Sequence, residues 1–318
     1  MLQPQLLVSN KRPLISLFNI SVNLFLGFVL IGPLLGLWVA SAFYEGDLLQ
    51  DLMTVRNAEE LFYPMLIMQG IGSFVGLIVL PYLHLRTIEQ KKLSPFFPSQ
   101  SKTVPALLIT AFIALNFMVS ISPITEWNTH ITFPDFLKDF EEWARSKEDQ
   151  LSELTKVATT FNSPADLLFG LLVIALLPAI GEEFVFRGII QNEIWRGTRN
   201  IHVAIWSSAI IFSAIHLQFY GFIPRMLLGA LFGYLYYWSG NLLIPMFAHF
   251  FNNALGVAGI YLYSKGIISI NPEDNDVAPW PAVIFCTIIT VGLLYFIWKF
   301  YQQRNSLDAF TEHSDSEL

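Results

Sequence analysis

Cysteine is nearly missing. The 318-residue chain holds one, Cys286, which excludes an internal disulfide and any cysteine-based zinc cluster. Because Cys286 falls inside an apolar run, it reads as a small core or lipid-facing residue. Charge is scarce too: Asp, Glu, Lys and Arg make up 14% of the chain, against about 25% in a soluble domain. Their net charge of −7 leaves no basic stripe for phosphates, so nucleic acid is excluded as a partner. Two hydrolase signatures are also absent: the HExxH of the common zinc peptidases and the GxSxG nucleophile elbow. In their place the chain is 54% hydrophobic and 15% aromatic, with a mean hydropathy of +0.52. This composition predicts a polytopic membrane protein with the lipid bilayer as a partner.

The apolar runs are continuous rather than alternating, so they predict helices and not a strand barrel. A membrane helix needs about 20 such residues. Eight spans are expected, at 15–43, 62–84, 104–123, 165–190, 203–220, 222–239, 242–263 and 281–300. The first run is too long for a signal-peptide core of about 7–15 residues. The fold class is therefore all-α: a bundle over 14–300, a cytoplasmic segment over 1–13 and a polar, disordered tail over 301–318. Lys11, Arg12, Arg86, Lys91, Lys92, Lys102, Arg196, Arg199, Lys299 and Arg304 fall on one side of these spans. The positive-inside rule then puts both termini in the cytoplasm, and the expected location is a bacterial plasma membrane. Arg225, at the outer start of the sixth span, is the exception. The loop at 134–160 shows helical apolar spacing among charges, which predicts an amphipathic helix packed on the bundle. Gly72 with Gly76, and Gly229 with Gly233, are small-xxx-small pairs of the kind that let helices approach closely.

A charge near the bilayer centre costs about 2.5–3.5 kcal/mol on insertion scales, yet the fourth span reads LPAIGEEFVFRGII. Glu183 and Arg187 are four apart and can pair. Glu182 is turned by about 100° and lacks that partner, which suits a general base. His216 on the fifth span, and His249 and Asn253 one turn apart on the seventh, complete a set of polar groups on three helices. Such residues usually face the bundle interior and mark function. Peptide hydrolysis needs this set: Glu182 to take a proton from water, His216 to hold that water, and His249 with Asn253 to donate to the oxyanion. Alternatively, Glu182, His216 and His249 bind a zinc ion that acidifies the water; the sequence leaves both routes open. Bringing His216 level with Glu182 requires a tilted fifth helix or a fourth helix running to about Trp195.

The motifs Glu182-Glu183-x-x-x-Arg187, Phe212-x-x-x-His216 and His249-x-x-x-Asn253 resemble those of the CPBP family, the CAAX protease and bacteriocin-processing group of intramembrane endopeptidases, also called type II CAAX prenyl endopeptidases. The resemblance covers about 165–260. It implies Glu182 as catalytic base, Glu183 paired with Arg187, and His216, His249 and Asn253 lining one cavity. It also implies a membrane-tethered or hydrophobic peptide or protein as substrate. The rival readings are a non-catalytic scaffold or bacteriocin-immunity protein, and a transporter. The crowding of polar residues into one half, without an internal repeat, disfavours a transporter.

Overall fold

The computed structural model describes residues 12–54, 58–98, 103–272, 274 and 276–315, without the side chains of 58, 59 and 303–315. The described residues are helical and contain no strand. The helices are α1 Pro13–Ser41, α2 Leu48–Thr54, α3 Glu60–Ile88, α4 Thr103–Ser120, α5 Ser122–Thr129, α6 Lys138–Ala158, α7 Pro164–Thr198, α8 Ile201–Ala214, α9 Phe222–Ser239, α10 Leu243–Ser264 and α11 Trp280–Asp315. Its part Trp280–Gln302 is apolar enough to span, and its backbone stays helical through most of the stretch expected as a polar tail.

Among the described residues, six helices are long and apolar enough to cross a membrane: α1, α3, α4, α7, α10 and α11. The expected count of eight spans is not reached by this measure. Helix α8 is apolar but has 14 residues, about 21 Å against a core of about 30 Å. It stops because the chain turns after Ile215, with Leu217 in the left-handed region at φ 54°. The fifth span expected over 203–220 thus ends early, and His216 sits just past its C-terminus. Helix α7 runs to Thr198, as the long fourth helix required. It widens into π turns at Leu171–Leu176 and Phe184–Gln191, a local geometry frequent at functional sites.

Bulky side chains such as Phe18, Trp38, Leu108, Phe112, Ile288 and Phe296 are exposed on the outside of the bundle, as a lipid-facing surface requires. Both glycine pairs serve helix contacts. An added Cβ at Gly76 would sit 2.7 Å from Phe28 Cα, and one at Gly32 would sit 2.9 Å from Gly72 Cα, so α1 and α3 touch through bare backbone. Gly229 and Gly233 expose carbonyls on α9 that accept from Arg187 Nη2 at 2.8 Å and Gln191 Nε2 at 3.3 Å. Two polar side chains of α7 are thereby tied to α9.

The two ends of the bundle differ. At one end Lys91 pairs with Glu193 at 2.7 Å, both buried, and Ser16 donates to Glu89 at 3.1 Å. These bonds hold the start of α1, the segment after α3 and the end of α7 together. Lys11, Lys102 and the side chain of Arg304, counted toward this end in the sequence, lie outside the described residues. The other end carries α6, which starts at Lys138 after a 3-10 turn at Asp135–Leu137. It packs on the protein: Ala144 is fully buried, the rings of Phe140 and Trp143 meet Phe219 at 5.1 and 5.6 Å, and Arg145 lies 4.4 Å over Tyr220. The Phe133 backbone N–H, then Arg145, hold the Glu141 carboxyl below the usual carboxylate range.

Candidate active site

The π turn after Glu183 sets the first partners. Glu183 and Arg187 are buried, with side chains 0% and 1% exposed, and bond at 2.8 Å. A buried pair is tolerated only when its remaining hydrogen-bonding groups are satisfied. Arg187 meets that condition through the Gly229 carbonyl and by lying 4.7 Å over Phe212 and 5.6 Å over Phe232, whereas Glu183 Oε2 is buried without a hydrogen-bond partner among the described residues. A side chain at residue 229 would put a Cβ 3.1 Å from Arg187 Nη2 and 3.2 Å from Ala209 Cβ, so any residue larger than glycine crowds the guanidinium.

Glu183 also reaches the seventh-span histidine: His249 Nδ1 lies 2.8 Å from Glu183 Oε1. A carboxylate bonded to Arg187 only accepts, so Nδ1 carries the proton. The ring is stacked on Phe232 at 5.1 Å and meets the edge of Phe212 at 6.0 Å. Held this way, its Nε2 lies 3.8 Å from Glu182 Oε2, too far for a direct hydrogen bond. His216 is fixed by the same logic. Its Nδ1 sits 2.7 Å from the Phe212 carbonyl, so Nδ1 donates and Nε2 is left as an acceptor in the neutral ring. Asn253 Nδ2 reaches the Ile174 carbonyl at 3.4 Å, and its Oδ1 accepts from Asn252 at 3.2 Å.

Glu182, His216, His249 and Asn253 line one cavity of about 1350 Å³, larger than the roughly 300–1,000 Å³ of small-molecule pockets and roomy enough for a peptide segment. Glu183 and Arg187 are not in its wall; they stand behind His249 and orient it. Phe232 carried no signal in the sequence, since an aromatic is ordinary in a membrane helix, and Gly229 stood out there only as a packing glycine, not as a partner of Arg187. Gln218 and Arg225 also line the cavity, and of these two the sequence flagged only Arg225, as a cation on the wrong side. Among the described residues, no group of three His, Cys, Asp or Glu side chains is placed to hold a metal ion. Glu182, His216 and His249, the expected zinc ligands, do not fit one in this arrangement.

Residues 164–255 match the model of the type II CAAX prenyl endopeptidase Rce1-like family. The matched segment contains Glu182, Glu183, Arg187, His216, His249 and Asn253, and the match agrees with the CPBP resemblance of their motifs. The uncharacterized protein YpbD of Bacillus subtilis (strain 168) is 34% identical over 89 residues, which is 27% of this chain and 42% of that protein. The match thus spans less than half the length of this curated relative. No solved structure matches the chain.

Proposed function

We propose that the chain is an intramembrane endopeptidase that hydrolyses a peptide bond in a membrane-tethered or hydrophobic substrate. The Rce1-like match supports protease activity at the family level. The carrying observation is that four residues of the matched segment, Glu182, His216, His249 and Asn253, line one cavity. Glu182 takes a proton from a water, while the free Nε2 of His216 accepts the water's other hydrogen and aims its lone pair. With Nδ1–H committed to Glu183, His249 donates from Nε2 only as an imidazolium. The charges then balance, since Glu182 and Glu183 offset Arg187 and His249. Nε2–H of His249 and an amide N–H of Asn253 stabilise the oxyanion. Glu182 finally returns its proton to the leaving amine. Side chains and water supply every step.

The test is a mixture of short apolar peptides incubated with the protein in lipid vesicles, with new peptide ends read by mass spectrometry. Ends should appear with the native protein and fall about 10²–10³-fold with Asn253→Ala, the loss expected for one oxyanion donor. Undiminished cleavage by Asn253→Ala contradicts its assignment.

The orientation proposal follows from the two ends. Lining residues outside the six spanning helices, among them Thr129, Glu148, Gln218 and Asp276, belong to the end opposite Lys91 and Glu193. With the Lys- and Arg-rich end in the cytoplasm of a bacterial plasma membrane, the cavity opens outward and substrate arrives from the outer face. In a Cys286→Ser background, a membrane-impermeant maleimide on intact cells should label Asp149→Cys at once and Lys92→Cys only after permeabilisation. The reverse pattern would invert the assignment.

A further inference from the structure

One polar side chain of the cavity has no part in the chemistry above and stands outside the matched segment. Gln69 lies within α3, a spanning helix, and lines the cavity with Glu182 and Asn253. It is exposed and makes no hydrogen bond among the described residues. The side chains that α1 and α3 otherwise supply to this wall are apolar, those of Phe28, Pro33, Met68 and Leu77, except for Ser73, one turn from Gln69 on the same face. A carboxamide carries two N–H donors and a carbonyl, and lipid satisfies none of them. Two contacts fix its level. An added Cβ at Gly70 would lie 3.4 Å from Val173 Cγ2, and one at Gly181 would lie 2.6 Å from Leu77 Cβ. Helices α3 and α7 therefore run side by side in the same direction, with Leu77 level with the residue before Glu182. Gln69 is two turns back along α3, about 12 Å toward the end that carries α6, where Phe62 packs with Ala158.

We infer that Gln69 is a positioning residue: its carboxamide binds a main-chain amide group of the substrate and holds that stretch extended. The inference rests on the peptidase reading. At about 3.3 Å per residue of strand, the bound group stands roughly three to four residues from the scissile bond. The chemistry selects the main chain. A hydrophobic segment has few polar groups besides its peptide amides, and these need partners once they leave a helix in apolar surroundings. A carboxamide offers the matching donor and acceptor and carries no charge. In an intact helix the same N–H groups are already bonded within the helix, so the contact favours an unwound chain. The substrate class is then a hydrophobic segment whose helix is weak, such as one interrupted by glycine.

The test is an ester scan. A short dye-labelled peptide of alanine, leucine and glycine is made as the all-amide chain and as a set in which each peptide bond in turn becomes an ester, which removes one N–H. Saturable binding to Glu182→Gln protein in vesicles, above that to protein-free vesicles, reads affinity without hydrolysis. At one or two adjacent positions the ester should bind about 2- to 13-fold more weakly than the amide, the worth of one neutral hydrogen bond. Adding Gln69→Met should bring that ratio to about one, and Gln69→Asn should keep part of it. Because Gln69 has no partner to lose, the melting temperature should hold in both. Esters that bind as tightly as the amide at every position overturn the inference without any variant. So does a position-specific loss that persists in Gln69→Met, or an all-amide peptide without saturable binding. If the scan is flat but native protein cuts the all-amide peptide, the peptidase reading stands and Gln69 leaves it. If the loss depends on Gln69 but native protein cuts no peptide, the peptidase reading fails and the main-chain site stands.

Discussion

Glu182→Gln should reduce cleavage by at least about 10³-fold, within the range for loss of a general base. Glutamine keeps the shape of the side chain but cannot take a proton from water. The protein should fold as before. Among the described residues Glu182 makes no hydrogen bond, its 3.8 Å approach to His249 being too long for one, and its side chain is 15% exposed to the cavity, so no packed hydrogen-bond network depends on it. Removing a charge from a partly desolvated site should leave thermal stability unchanged or raise it. The check is the rate of new-end formation in vesicles beside the melting temperature of the same preparation. A large loss of rate with no loss of Tm is the signature of a chemical role. A parallel fall of both would assign Glu182 to structure.

Arg187→Met should have the largest effect on stability, about 3–5 kcal/mol. It leaves Glu183, fully buried, with only His249 to bond, and leaves the Gly229 carbonyl without its donor. Because Glu183 also fixes the His249 ring, activity should fall with stability. The double variant Glu183→Gln with Arg187→Met removes the stranded charge and should recover a good part of the stability but not the activity. The two changes must therefore be strongly non-additive. Denaturant unfolding of the single and double variants measures this. Additive effects, or a Met variant as stable as the native protein, would mean that the pair is not the buried anchor described here.

How much of this was legible in the sequence differs from residue to residue. Glu182, Glu183, Arg187, His216, His249 and Asn253 stood out because a polar group in an apolar helix needs a reason, and these are the groups found around one cavity and directly behind it. The pairing of Glu183 with Arg187 followed from helical spacing alone. The long α7 followed from the need to bring His216 level with Glu182. Other features left no such trace. Hydropathy cannot mark where α8 stops, since Ile215 and Leu217 are as apolar as the helix before them; the end is set by a backbone turn at Leu217. The π turns of α7 have no composition signal. Phe232 matters because His249 stacks on it; Gly229 was legible as a packing glycine, but not as the residue whose carbonyl accepts from Arg187. Both are long-range contacts between residues that are individually commonplace. Arg225 was visible as a misplaced cation, but the burial of its Nη1 without a hydrogen-bond partner among the described residues is a property of three-dimensional surroundings.

The most direct measurement compares peptide termini across the proteome of cells carrying the native protein with those carrying Glu182→Gln at equal abundance. At least one terminus from a membrane-tethered or hydrophobic protein should be present in the first and missing in the second, with the uncut precursor accumulating. Identical termini in the two strains, with both proteins folded and in the membrane, would contradict a proteolytic role for the cavity.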